Sequence, residues 1–265
     1  MSRPVRHLSA AIGVWFGFAV ALGACGGPSL PVLSDPTEIV TAGLASTESA
    51  RTVHLEVKVD GEINIDLSGG NVASTSIKLG GTMASADVDM AAGKARATFA
   101  APGLLILSGE VIQIGETSYL KTSLGGPQFE VVEAMDALPV DPTDASGIFD
   151  DIGDLLLADG VDPVKGDDVD CGGKQCYTVM IALTSDELAA LGVSAPVPDD
   201  LPIDLDTASL ALTVRVEKDT NRLAGVGSGI SLGEIGFLTV DVSASNWDQP
   251  MDISPPPADE IKPAT

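Results

Sequence analysis

Val53-His54-Leu55-Glu56-Val57-Lys58-Val59-Asp60 and, after Gly61, Glu62-Ile63-Asn64-Ile65-Asp66-Leu67 alternate apolar and polar residues over 15 positions. Residues two apart in a strand share a face, so Val53, Leu55, Val57, Val59, Ile63, Ile65 and Leu67 form a dry side and the polar set a wet one. Gly61 alone interrupts the apolar set, marking a bend in one long strand or a break between two. A strand with one wet face belongs to an antiparallel sheet, since parallel sheets usually bury both faces.

Shorter strand candidates follow at residues 75–79, 85–90, 94–100, 104–107, 111–114 and 118–122, several separated by glycine-bearing turns. Alternation returns at Tyr177, Val179, Ile181 and Leu183, again at Leu210, Leu212, Val214 and Val216, and continues at 223–226 and 238–242. Three segments change to helical spacing. Asp35-Pro36-Thr37-Glu38 reads as a cap, a first-turn proline and a capping-box acid, opening a helix to about residue 50 that buries Ile39, Val40 and Leu44. Asp141-Pro142 opens a second, in which Ile148, Phe149, Ile152, Leu155 and Leu156 form one stripe. Thr184-Ser185-Asp186-Glu187 repeats the capping box before a short helix ending at Gly192. The class is α+β, an antiparallel sheet whose apolar face is covered by a few amphipathic helices. Periodicity leaves open whether that face closes on a packed core or a cavity. A continuous apolar volume above about 1,000 Å³ would suit multi-chain lipid, being larger than ordinary small-molecule pockets.

Residues 1–24 read as a secretory leader: Arg3 and Arg6, then an uncharged run from Ala10 to Leu22, then Gly23-Ala24 before Cys25. The run is too short for a transmembrane helix, which needs about 20 apolar residues. Residues 25–34 form a Gly/Pro/Ser-bearing tether, residues 35–253 a single domain, and the Pro-rich stretch 254–265 is expected to be disordered. Without the leader the chain carries 12 Lys and Arg against 38 Asp and Glu, net −26. That charge argues against nucleic acid as a partner and against electrostatic adhesion to an anionic bilayer.

Cys171 and Cys176 bracket Gly172-Gly173-Lys174-Gln175, a spacing that suits a disulfide across a hairpin in an oxidising compartment. A zinc site is the competing reading, but it needs two further ligands in a chain left with one histidine, and no metal or cofactor is expected. His54 is that histidine, with Glu56 on its side of the strand, where a general base could stand. Asp150, Asp151 and Asp154 read as the solvated face of a helix. No phosphate loop, EF-hand, nucleophile elbow or zincin motif occurs. The chain is read as a non-enzyme.

The order of these pieces resembles the LppX/LprG-type envelope lipoproteins of mycobacteria and their relatives. The resemblance is carried by Leu22-Gly23-Ala24-Cys25, Ser49-Ala50-Arg51-Thr52-Val53-His54-Leu55, Ile114-Gly115-Glu116-Thr117-Ser118-Tyr119-Leu120 with its following Gly-Gly, the Asp141-Pro142 helix, Leu183-Thr184-Ser185-Asp186-Glu187-Leu188, and Ala244-Ser245-Asn246-Trp247-Asp248-Gln249-Pro250. It implies diacylglycerol on Cys25, with cleavage before it and acylation of the new amino terminus. It also implies a strongly curved half-barrel sheet whose concave apolar face is covered by helices, and binding of acylated lipids or glycolipids there for carriage through the cell envelope. Val57, Val59, Ile63 and Ile65 become candidate cavity wall, and Ile148, Ile152 and Leu155 candidate lid. An envelope transporter is the partner implied. The acidity and the cysteine hairpin are not features the resemblance accounts for. The alternative is a structural or interaction lipoprotein, docked on an exporter or other envelope protein, with no ligand cavity.

Overall fold

The computed structural model describes residues 30–65, 75–103, 106–133, 153–190 and 207–263. Among them are β1 (Thr52–Ile65), β2 (Thr75–Lys78), β3 (Thr82–Asp89), β4 (Lys94–Ala101), β5 (Leu107–Ile114), β6 (Thr117–Thr122) and β7 (Glu130–Glu133). They continue with β8 (Val164–Lys165), β9 (Val169–Asp170), β10 (Gln175–Thr184), β11 (Ala208–Glu217), β12 (Leu223–Leu232) and β13 (Gly236–Ser245). All join one antiparallel sheet in the order β7-β6-β5-β4-β3-β1-β13-β12-β11-β10-β8, with β2 on β1 and β9 on β10. Among the described residues the two ends of the order do not pair, so the sheet is open.

The long alternating stretch is a single strand, and it is central. β13 pairs with it from His54 to Ile63 on one side, while on the other β3 pairs up to Val59 and β2 takes over from Glu62. The handover falls at Gly61. A Cβ there would stand 2.4 Å from the Phe237 carbonyl oxygen of β13, so only glycine lets the ladder continue through the bend.

The N-terminal helix, Pro36–Glu48, starts as its sequence predicts, with the Asp35 carboxylate accepting the Glu38 N–H at 2.9 Å. It lies over β10, β11 and β12. Gly43 allows the close approach: a Cβ would meet Val216 at 3.0 Å and Leu223 at 3.3 Å. Ile39 and Val40 are fully buried there with Val53, Val179, Val214, Val216 and Leu223. Thr47 closes the seam, donating its hydroxyl to the Gly43 carbonyl at 2.8 Å and accepting the Leu223 N–H at 3.4 Å. The helix Ser185–Ala190 has its capping box in full: Glu187 accepts the Thr184 N–H and hydroxyl, both at 2.7 Å, and the Glu187 N–H returns to the Thr184 oxygen at 3.4 Å.

Four expectations need correction. The strand expected at 111–114 begins earlier: Ile106 lies in a turn and one strand runs from Leu107 to Ile114, because β4 and β6 pair along both its edges through Gly109, while 104 and 105 lie outside the described residues. β12 runs on to Leu232 rather than stopping at Val226; neighbours on both sides hold its glycine-rich half in the ladder. The tether is shorter than expected, since Leu33 is already buried and its N–H donates to the Tyr177 hydroxyl at 3.0 Å. The C-terminal stretch is ordered to residue 263. Ile253 and Pro256 are buried, Ile261 bridges Phe129 in parallel, and backbone bonds of 2.8 Å join Phe129 N–H to Glu260 O and Lys262 N–H to Phe129 O. Proline does not prevent this docking, because a single extended segment along an edge needs few N–H donors.

Candidate functional site

The site is built on the helix-covered face of the sheet. Val53 and Leu55 belong to the main core, and alternation carries the same face on to Val57, Val59 and Ile63. Register sets Val242 and Val240 of β13 beside Val57 and Val59, and Ala84 of β3 with Phe99 of β4 on the other side. Burial fades along this face. Val53 and Val88 are closed off completely, whereas Val57, Val59, Ile63, Ala84, Phe99, Val240 and Val242 are half-buried. The sheet therefore presents a continuous apolar surface that begins as packed core and ends as partly accessible wall.

Of the residues expected to form a cavity, Val57, Val59 and Ile63 are brought together on this face; Ile65 ends β1 opposite Thr75. Leu155 sits in the helical turn at residues 153–156 and packs on the main core beside fully buried Leu156. Ile148 and Ile152 lie outside the described residues, as does Cys25. Cys171 and Cys176 form the disulfide, with Cα atoms 6.2 Å apart, at the turn from β9 into β10.

The opposite face is ionic. Lys121 and Arg96 converge on Glu110 at 3.1 and 2.6 Å. Burial alone would raise the Glu110 carboxyl, but the hydrogen bonds from Lys121 and Arg96 outweigh it and hold it below the usual range. His54 Nδ1 lies 2.6 Å from Asp87 and its Nε2 3.9 Å from Glu56, which makes the candidate base a member of a cross-strand polar row. Among the described residues no group of His, Cys, Asp and Glu could hold a metal, and no helix is long and apolar enough to cross a membrane. One open trough, of about 480 Å³, runs between Thr213, Asp241 and Lys58 on the ionic face.

Two of the segments that carry the family resemblance turn out to be structural ties. Asp248 accepts the Arg51 N–H at 2.8 Å and pairs with Arg222, and its own N–H donates to the Thr52 carbonyl at 3.0 Å. These bonds hold the Asp248 carboxyl below its usual range, the Arg51 N–H contributing most. Trp247, buried beside them, donates its indole N–H to the Leu223 carbonyl at 3.1 Å. The feature sequence reasoning missed is the second small core on the ionic side, where Ile112, Phe129 and Ile253 pack with Ile114, Tyr119 and Met251. Ile112, Ile114 and Tyr119 point away from the dry face in the strand register, and that was the signal available.

No protein-family model and no curated protein matches the chain. Solved structures do. LprF from Mycobacterium bovis aligns over 83% of this chain and 96% of its own length, with 18% identity and a TM-score of 0.52. The Mycobacterium tuberculosis lipoprotein LppX aligns over 83% and 100%, with 15% identity and a TM-score of 0.39. A LolA superfamily protein from Nitrosomonas europaea aligns over 82% and 96%, with 8% identity and a TM-score of 0.28. At these identities the likeness concerns the fold, and LprF carries it: the chain shares with LprF an open, curved antiparallel sheet with helices on its apolar face.

Proposed function

We propose that this chain is a membrane-anchored lipoprotein that binds acylated lipids or glycolipids against the helix-covered face of its sheet and carries them in the cell envelope. The observation that carries the reading is the apolar surface extending past the packed core, from Val53 to the half-buried Val57, Val59 and Ile63 and onto Val240 and Val242. Burying apolar surface yields about 25 cal/mol per Å², so an acyl chain laid along such a face is held without polar contacts. The reading also draws on the leader and Cys25, which would place the protein on a bilayer, and on the fold shared with LprF. Carriage requires a dry surface and a route to it, and no nucleophile. The His54 and Asp87 pair faces the other side of the sheet and has no part in it.

The test is to purify the protein without detergent and identify bound molecules by native mass spectrometry. Acylated lipid in near-stoichiometric amount is expected. Repeatedly empty spectra from folded protein would contradict the proposal.

A further inference from the structure

Two loops at one end of the sheet carry exposed aliphatic side chains that no packing requirement explains. Ile106, between β4 and β5, is 78% exposed, and Leu124, after β6, is 72% exposed. Ile106 has φ 53°, the left-handed region that a β-branched residue rarely adopts. Such conformations persist where surrounding structure imposes them, and here it does. The Ser123 hydroxyl donates to the Ile106 carbonyl at 3.3 Å and accepts the Ser108 N–H at 3.1 Å, while the Ser123 N–H donates to the Ser108 carbonyl at 2.8 Å. On the other loop the Gly125 N–H donates to the Thr122 hydroxyl at 3.0 Å, and Lys262 reaches the Gly125 carbonyl at 2.9 Å. One serine thus ties the Ile106 backbone to the loop after β6, and Gly125, beside Leu124, is held in turn by Thr122 and Lys262.

We infer that Ile106 and Leu124 form a pre-organised tip that dips into the surface of a lipid bilayer. The occupant follows from three properties. Both side chains are more than two-thirds exposed, so they fit a deformable surface better than a preformed protein pocket. The tip is aliphatic, whereas protein hot spots favour Trp, Tyr and Arg. The short connection from Leu33, pinned on Tyr177, back to Cys25 would hold the domain within about 30 Å of the membrane carrying the anchor. A net charge of −26 favours a zwitterionic surface over an anionic one. The inference rests on the proposed membrane anchorage for a nearby bilayer, and it needs no cargo.

The experiment places tryptophan at the tip in the full chain, as Ile106→Trp and Leu124→Trp, with Val164→Trp as the control at another exposed aliphatic position, on the far edge strand β8. Each protein is mixed with phosphatidylcholine vesicles brominated in their acyl chains, and fluorescence of the vesicle-bound fraction is compared with that on unbrominated vesicles. Several-fold stronger quenching and a blue shift at the two tip positions relative to Val164→Trp are expected. No vesicle association, or equal quenching at all three positions, would overturn the inference. Mass analysis of the amino terminus and of bound lipid, on the same samples, reports anchor and cargo independently of the tip.

Discussion

The sheet has a core on each face, and the two are made differently. Under the N-terminal helix, Ile39, Val40, Val179, Val214, Val216 and Leu223 close completely, each supplied by an element whose sequence repeats at the period of a strand or a helix. On the ionic face, Ile112, Phe129 and Ile253 make a small cluster held down by a segment with no repeat at all. The first core is built by pattern and the second by a strap. A periodic face can be extended residue by residue beyond its core, and this one is, out to Val57, Val59 and Ile63. A strap covers only what it crosses, which leaves the rest of the ionic face to salt bridges.

This contrast predicts unequal costs. Leu223→Ala, at a site packed by helix and sheet, should lower stability by about 2 to 5 kcal/mol in denaturant unfolding. Ile253→Ala should cost less, about 2 kcal/mol, the low end of the same range for truncations. Its effect should also be local. Amide exchange should quicken first at Phe129, Glu260 and Lys262, where the strap bonds to the sheet, with the N-terminal helix unaffected. Equal global losses from both variants would erase the distinction.

Replacing Cys171 and Cys176 together by serine should remove about 2 kcal/mol, as expected for so short a loop, and leave the fold intact. The hairpin braces the entry into β10; it does not build the core. A collapse of near-ultraviolet circular dichroism in that variant would show the main core to be less self-sufficient than its packing implies.

The smallest effect should be a pH dependence at Asp248, where the strap leaves β13. Its carboxyl is held below the ordinary value of about 3.9, so the charged form favours the folded state. That contribution is complete above the unfolded value and disappears as pH falls through the folded one. Exposure of the pair keeps it modest. Melting curves of wild type and Asp248→Asn should therefore differ at pH 6 and converge toward pH 2, while a gap independent of pH would assign the effect to packing.

Legibility followed the same division. The alternation from Val53 fixes the central strand, its faces and the antiparallel class, because burial of one side forces a period of two. Asp35 and the Thr184 to Glu187 box announce their helices, since capping satisfies specific backbone groups with specific side chains. Gly227, Ser228 and Gly229 hide the second half of β12, because a strand pinned between two neighbours needs little propensity of its own. Pro256 and Ile261 fall in a stretch that reads as tail for a similar reason: docking to an edge leaves no repeat. The wall residues of the candidate site could be ordered onto one face from sequence, whereas their partial burial belongs to the three-dimensional arrangement.

The central claim is that one face of β1 holds lipid and the other does not, and bound lipid per protein tests it most directly. Val57→Trp and Val59→Trp place bulk on the apolar face, and Glu56→Trp and Lys58→Trp place the same bulk one residue away on the ionic face. Quantitative mass spectrometry of lipid extracted from the four folded variants should show a several-fold loss for the valine pair and wild-type occupancy for the other two. Equal occupancy in all four, or loss confined to Glu56→Trp and Lys58→Trp, would contradict the account.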